Sequence, residues 1–500
     1  MLVGLDERAH DRAVDLLSGR AARNGSGWTP AAPSDDEVAE VVAFAKAAER
    51  IGEAEPSLVD EYLRRGSAAF LRKDYAAAHR IFGALLLPIG EGEIFLGQDE
   101  MVDEVLGADA GDCAAQYVVS AYMITSPEKR AEGVRAAIEE VQSLGHFWEP
   151  IRELERVAVG PLSGLDEFLP QWRALVAREV GGERRGAWDS DEDRWLREVV
   201  HRLEGADGLA MIARSTRRAD DLRAWCRCLV EAGDWNVALA AFDEAAGIVA
   251  DKDHARGGLL DGAALAAQEL GLDDLPARLE RAWRAAPSML RLRRWLASTG
   301  DEMAIRTRAI EALEVCPKQA HRQRAFLHVL LGEFEPAAKL LASAPGLGWS
   351  DGEHPGHLLF RIFETFFGGK SALASARRAL SAHRQMDIEE LELTTADEDK
   401  PRLAAPGIDE ILKRAGMNAI PGDAARRAVL AALRKAVERR LAGVTENKRR
   451  RHYAHAAELA AVFVACDRSA EAVRWVASVR TEYRRFPALR AELDRAVGSR

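Results

Sequence analysis

A pattern that occurs three times limits the folds open to this chain more than any other feature. Asp74-Tyr75-x-x-Ala78-x-x-x-Phe82-x-x-Leu85 is matched by Gly233-Asp234-Trp235-x-x-Ala238-x-x-x-Phe242-x-x-Ala245 and by Gly332-Glu333-Phe334-x-x-Ala337-x-x-x-Leu341-x-x-Ala344. Small and large apolar residues at spacings of three and four share one face of a helix, whereas a strand would scatter them over both of its faces. The turn ahead of them is too short to cross a sheet and suits an antiparallel helix pair. Ala238 and Ala337 are 99 residues apart, close to three units of 33 or 34. A fainter copy at Ala472, Val476 and Val479 begins 135 residues after Ala337, close to four units.

The stretch from Leu63 to Leu85 shows one hairpin in full. Leu63, Phe70, Leu71, Tyr75, Ala78, Ile81, Phe82 and Leu85 repeat at three and four, the arginines and lysines fall between them, and the turn lies near Lys73-Asp74. In such a pair the alanine lets two helices approach, the aromatic fills the groove beside it, and glycine accepts the turn geometry that ends the first helix. Composition agrees: alanine, leucine, arginine and glutamate dominate the 500 residues, aromatic residues make up 6%, and β-branched runs are scarce. Almost no sheet is expected.

The pattern resembles the tetratricopeptide repeat, whose second helix follows a Gly-acidic-aromatic turn and carries a small residue, an aromatic and another small residue. The tryptophan and Leu-Gly pair that the family carries in its first helix are mostly absent, and its proline after the second helix has loose counterparts in Pro88 and Pro345. The resemblance implies an all-α, tetratricopeptide-like α-solenoid of antiparallel helix hairpins that docks proteins or peptides. A second resemblance covers the last fifty residues or so. Tyr453, Ala456-Ala457, Leu459, Tyr483-Arg484-Arg485, Pro487-Ala488-Leu489 and Glu492-Leu493 are similar to the helical C-terminal region of bacterial SWIM-type zinc-finger proteins. That family's zinc motif, Cys-x-Cys followed by Cys-x-His, is absent because Cys226-x-Cys228 lacks the second half, so the resemblance implies a helical module without its metal.

Breakers and charge runs divide the chain into an N-terminal helical block (1–180) with its hairpin at 58–87, a middle solenoid (181–385), an acidic, proline-ended linker (386–407) and a basic helical block (408–500). Residues 20–36 read as a loop leading to a helix capped by Ser34 with Glu37 three residues on, and the segment before them as an outlying helix. Residues 88–100 read as a longer interhelix loop, with further breaks at 181–195 and 346–357.

Chemistry has little to work with. There is no Gly-x-x-x-x-Gly-Lys-Ser/Thr, His-Glu-x-x-His, Gly-x-Ser-x-Gly or dinucleotide fingerprint, and Gly181-Gly182 with Gly186 has no strand before it. The cysteines (Cys113, Cys226, Cys228, Cys316, Cys466) are odd in number and scattered, which fits free thiols. Cys226 and Cys228 diverge by about 200 degrees on a helix and do not face one metal. The pairs His354 with His357 and His452 with His455 lack a carboxylate or cysteine constellation, and Asp35-Asp36 and Glu389-Glu390 read as hydrated surface. No catalytic residue, metal or cofactor is expected. No stretch approaches 18 uninterrupted apolar residues and the first residues carry charges where a signal peptide needs its apolar region, so a cytoplasmic location without membrane contact is expected.

Binding surfaces are the remaining candidates. Arg64, Arg65, Arg72 and Lys73 in the first hairpin, Arg223 and Arg227 in the second, and Arg322 and Arg324 in the third lie on first helices, which usually line the concave side of such arrays. Most tryptophans are expected to fill gaps between hairpins. Trp349, in the Gly-rich stretch "PGLGWSDGEHPG", is the exception, read either as a loop anchor or as a contact for a partner. Residues 401–500 carry 21 Lys+Arg against 11 Asp+Glu, while the first 400 carry 48 against 69. In the helix that begins near Asp423, Leu430, Leu433, Val437 and Leu441 form an apolar stripe. Arg426, Arg427, Arg434, Lys435, Arg439 and Arg440 lie mostly off it, and Lys448, Arg449, Arg450 and Arg451 extend the charge toward an acidic partner or nucleic acid. The chain therefore reads as a non-enzymatic protein-binding scaffold or adaptor, with nucleic-acid association through the basic block as the alternative and an enzyme site assembled across helices as a second alternative.

Overall fold

The computed structural model describes residues 31–99, 101–180, 189–250, 253–367 and 401–498. The outlying first helix, most of the 20–36 loop, Gly181-Gly182-Gly186, Trp188, Glu389-Glu390 and the linker up to residue 400 lie outside them. The described residues form an all-α protein, with no strand beyond an isolated bridge between Glu53 and Phe95. No described helix is long and apolar enough to cross a membrane.

Two compact units divide the chain, one running to Thr216 and taking in Asp220–Trp225, the other taking in Arg217–Ala219 and everything from Cys226 on. The first holds α1 (Asp35–Ile51), α2 (Pro56–Leu71), α3 (Tyr75–Gly90), α4 (Ala110–Ile124), α5 (Arg130–Val141), α6 (Pro150–Val157), α7 (Leu165–Val180) and α8 (Asp191–Thr216), which breaks at Gly205. Helix α9 (Ala219–Glu231) spans the division. The second unit continues with α10 (Trp235–Ile248), α11 (His254–Glu269), α12 (Leu275–Ala285), α13 (Met289–Ala297), α14 (Glu302–Val315), α15 (His321–Leu330), α16 (Phe334–Ser343), α17 (Gly356–Phe366), α18 (Ile408–Arg414), α19 (Asp423–Glu446), α20 (Tyr453–Cys466), α21 (Ala470–Glu482) and α22 (Pro487–Gly498). Many helices pack on their neighbours in sequence, as α2 on α3, α3 on α4, α10 on α11 and α11 on α12, while α16 packs on α19 and α20 on α22.

Local chemistry sets where these helices start and stop. Ser34 closes a capping box on α1, its hydroxyl accepting from the Glu37 N–H while the Glu37 carboxylate accepts from the Ser34 N–H. Asp74, Asp109, Asp234, Asp301 and Ser469 each accept a hydrogen bond from the N–H three residues on, satisfying a donor that the first turn leaves open. Glu198 does the same across the fold: its carboxylate, on α8, accepts from the Ile151 and Arg152 N–H groups at the start of α6. Burial pushes its pKa up to about 7 against the pull of those two donors.

The three recognised hairpins turn in one way. Lys73 N–H donates to Phe70 O (2.9 Å) and Asp74 N–H to Ala69 O (2.9 Å); Gly233 N–H donates to Val230 O (3.0 Å) and Asp234 N–H to Leu229 O (3.2 Å); Gly332 N–H donates to Val329 O (3.0 Å) and Glu333 N–H to His328 O (2.8 Å). This is the Schellman closure, which satisfies the last carbonyls of a helix and needs one left-handed residue. Gly233 (φ 73°) and Gly332 (φ 77°) take that conformation freely, whereas Lys73 (φ 66°) takes it with a Cβ.

Past the turn, Ala78, Ala238 and Ala337 are completely buried. Twelve positions before each lies a small residue on the first helix, Gly66, Cys226 or Ala325, and all three are buried. Close approach is the reason for the small residues: a Cβ on Gly66 would stand 2.8 Å from the Phe82 ring, and one on Gly262 of α11 only 2.2 Å from Phe242. Aromatics fill the remaining space. Trp283 stacks on Trp295 at 5.2 Å and donates to the Gln323 side chain, and Trp172, Trp195, Trp225 and Trp475 are buried too. Trp148 departs from the expected gap-filling role: it is 59% exposed, beside His146 and under the Arg194 guanidinium.

The basic C-terminal helices share a core with the middle of the chain. One apolar cluster runs from Ala264 to Leu493, and α19 lies along α16.

Candidate functional site

The first-helix cations differ in burial and partners. Arg65 is held by Glu40 (3.0 Å) and Glu61 and lies over the Tyr62 ring, and Arg64 is half-buried beside Asp60 and Gly107. Arg324, also half-buried, donates to Cys316 O and Leu313 O at the end of α14, and Arg322 to Gly352 O. These four are ties inside or between hairpins. Arg72, Lys73, Arg223 and Arg227 are exposed, with Arg223 paired to Asp220 at 3.0 Å.

Trp349 is buried within its loop. It is 3% exposed, on a short 3-10 turn between α16 and α17, with the rings of His354 (4.3 Å), His455 (4.7 Å), His357 (5.3 Å) and Phe360 (5.9 Å) around it and the Arg440 guanidinium 6.0 Å from its centre. Of the two readings of Trp349, this burial favours the loop anchor over the partner contact. His354 is locked by two bonds: Gly356 N–H donates to Nδ1 (3.1 Å), leaving Nε2 to carry the proton toward Pro345 O (3.3 Å). Burial pushes its pKa down to about 4, and the neighbouring Arg440 charge adds to the shift. The loop presses its backbone against α19, for a Cβ on Gly346 would fall 2.0 Å from Arg439 O.

That contact claims two cations of the basic helix. Arg439 donates to Ser343 O (2.9 Å) and Ala344 O (3.1 Å), closing the end of α16, and Arg440, 2% exposed, donates to Gly346 O (3.1 Å). Burial lowers the Arg440 pKa to about 10. Arg434 is engaged by Glu438 and Glu471, and Arg426 lies over the Phe367 ring at 4.8 Å. Arg427, Lys435, Lys448, Arg449, Arg450 and Arg451 remain exposed, with no carboxylate partner among the described residues. The ten candidates thus divide into structural ties and exposed charge, and four of the six exposed cations lie beyond the C-terminal end of α19.

The register of α21 on α19 adds to that end. Arg434 pairs with Glu471 and Trp475 Nε1 donates to Glu438 (2.8 Å), both 37 residues apart, and the Tyr483 hydroxyl lies within the field of Glu446 and Glu438. Contacts that advance together on both helices mean that α19 and α21 run parallel, with α20 joining them in sequence. Their C-terminal ends therefore lie at one end of the bundle. Arg484 and Arg485, exposed in the turn after α21, join Lys448, Arg449, Arg450 and Arg451 in the turn after α19. Charge counting along the sequence shows both runs but not that they meet.

Among the described residues, no group of three His, Cys, Asp or Glu is placed to hold a metal. Burial pushes the Cys226 thiol up to about 12 and Cys316 up to about 11, away from the thiolate. An open cleft between α11 and α12 has Arg256, Arg281 and Arg284 on its walls, but Arg284 is paired with Glu280 in the same cleft and Arg281 reaches Asp243. No protein-family model matches the chain, and no curated protein is significantly similar to it.

Proposed function

We propose that the chain is a non-enzymatic docking scaffold of the tetratricopeptide-like kind, an α-solenoid that binds a protein or peptide partner. The observation that carries this reading is the threefold recurrence of one hairpin: the same Schellman turn at Lys73, Gly233 and Gly332, followed by the same buried alanine and preceded twelve residues earlier by the same buried small residue. Gly66 supplies the first-helix glycine of that family once, and Cys226 and Ala325 replace it by other small residues. Repeated hairpins stacked in sequence expose rows of side chains along their length, and each row adds a little to the binding of an extended partner. Of the first-helix cations, Arg72, Lys73, Arg223 and Arg227 are exposed enough to serve. The resemblance of the last fifty residues or so to SWIM-type proteins implies a helical module, and α20, α21 and α22 are the helices there.

Purification of the tagged full chain from its own cells, with cross-linking and mass spectrometry, tests the reading. A stoichiometric protein partner is expected to remain through a salt gradient. A chain that runs alone at every salt concentration would sink it. The cationic end of the bundle favours a second reading, association with nucleic acid.

A further inference from the structure

We infer that the two turns at the C-terminal end of α19 and α21 form one composite site for the phosphate backbone of a nucleic-acid duplex, made by Lys448, Arg449, Arg450, Arg451, Arg484 and Arg485. The site is separate from the docking surface proposed above and stands or falls without it. Three observations carry it. The parallel register of α19 and α21 brings two cationic runs, 33 residues apart in sequence from Arg451 to Arg484, to one end of the bundle. All six side chains are exposed, with no carboxylate partner among the described residues, and Glu446 and Glu482 are the acidic residues that flank them. A helix C-terminus attracts one or two cations through its dipole, and six exceed that need.

The surroundings select the ligand. Five of the six are arginine, whose planar fork matches phosphate oxygens. Beside the turns Tyr453 (4% exposed) and Tyr483 (9%) are turned inward, and the half-buried Phe486 packs against the apolar core next to Tyr483, so little ring surface is offered on which single-stranded bases would stack. A protein partner would look for an apolar anchor. The large apolar side chain exposed on α21 is Val473, and it lies at the opposite end of that helix. Cations with no fully exposed ring or apolar anchor beside them suit a polyanion read by charge alone. The first 400 residues carry a net acidic balance, so the excess of positive charge lies in the last hundred residues.

Fluorescence anisotropy of a short labelled duplex with the full-length protein tests the site. With six phosphates neutralised, the logarithm of the binding constant is expected to fall against the logarithm of salt with a slope of about −5, a loss of roughly a thousandfold between about 50 and 200 mM. The pairs Arg449→Gln with Arg450→Gln, and Arg484→Gln with Arg485→Gln, are each expected to weaken binding by roughly a hundredfold near 0.1 M salt and to reduce the slope by about 2. Arg426→Gln with Arg427→Gln, at the far end of α19 and roughly 30 Å away at 1.5 Å per residue, is expected to leave both unchanged. All variants change exposed side chains, and thermal melts confirm that they fold. A salt-independent signal, an equal loss from the Arg426 and Arg427 pair, or no loss from the Arg484 and Arg485 pair overturns the inference. Equal or tighter binding of single-stranded DNA, polyglutamate or anionic lipid vesicles overturns the assignment to a duplex.

Discussion

Replacing Gly262 by alanine opposes two effects of known size, so the sign of the result is informative. Gly262 lies inside α11, where alanine is better than glycine by about 0.8 to 1.0 kcal/mol from backbone entropy alone. The new Cβ would stand 2.2 Å from Phe242 Cε1, 2.4 Å from Cζ and 2.6 Å from Cδ1, so the ring must move. Phe242 is 8% exposed and packed, and overpacking of this kind costs about 1 to 3 kcal/mol. The contact wins, and Gly262→Ala is expected to destabilise the protein by about 1 kcal/mol. Urea titration followed by far-ultraviolet circular dichroism measures the change. A double-mutant cycle with Phe242→Leu separates the causes, because with the ring gone the same alanine should become neutral or stabilising. If Gly262→Ala raises stability by the full propensity gain in the native background, or if coupling to Phe242→Leu is below about 0.5 kcal/mol, the packing of α10 on α11 through that ring is wrong.

Lys73→Gly, at the one recognised hairpin turn where a Cβ occupies the left-handed position, should stabilise by about 1 kcal/mol, measured as a rise in the urea midpoint. Ala238→Trp should destabilise by about 1 to 3 kcal/mol or more, since its Cβ site is completely buried; a neutral melt would contradict the hairpin contact. His354, with its pKa lowered by burial from 6.5 to about 4, is neutral in the fold while the unfolded chain takes up the proton. Its contribution, about 3 kcal/mol at 1.36 kcal/mol per pKa unit, should be complete above pH 6.5 and drain away as the pH falls toward 4. His354→Gln should flatten that part of the stability-against-pH curve, and an unchanged slope would refute the assignment.

The local parts of this fold were legible in the sequence. The box of Ser34 with Glu37, the turns near Lys73, Gly233 and Gly332 and the burial of Ala238 follow from residues within a few positions of one another, where spacing and capping chemistry decide. What escaped depends on neighbours far along the chain. Arg439 reads as a surface cation of an amphipathic helix, yet its acceptor, Ala344 O, is 95 residues away. Trp349 sits in a loop without periodicity, and only the approach of α19 and α20 shows that it is buried. Periodicity shows that a helix has an inner face but not which helix covers it, so neither the ties made by Arg64, Arg65, Arg322 and Arg324 nor the parallel register of α19 and α21 was visible. The small residues Gly66, Cys226 and Ala325 did carry a signal, a constant spacing of twelve from the buried alanine, which emerges only when the three hairpins are aligned backward from their turns.

The seat of the 344–356 loop on α19 bears on how the chain acquires its structure. Hairpins closed by tight turns form from contacts close in sequence, which lose little loop entropy and form early. The bond from Arg440 to Gly346 O spans 94 residues, and the histidines that surround Trp349 come from near both ends of that span. Its closure must wait until α19 and α20 exist. Trp349 is therefore placed to report a late step of folding, after the hairpins have formed and when the C-terminal helices settle against the middle of the chain.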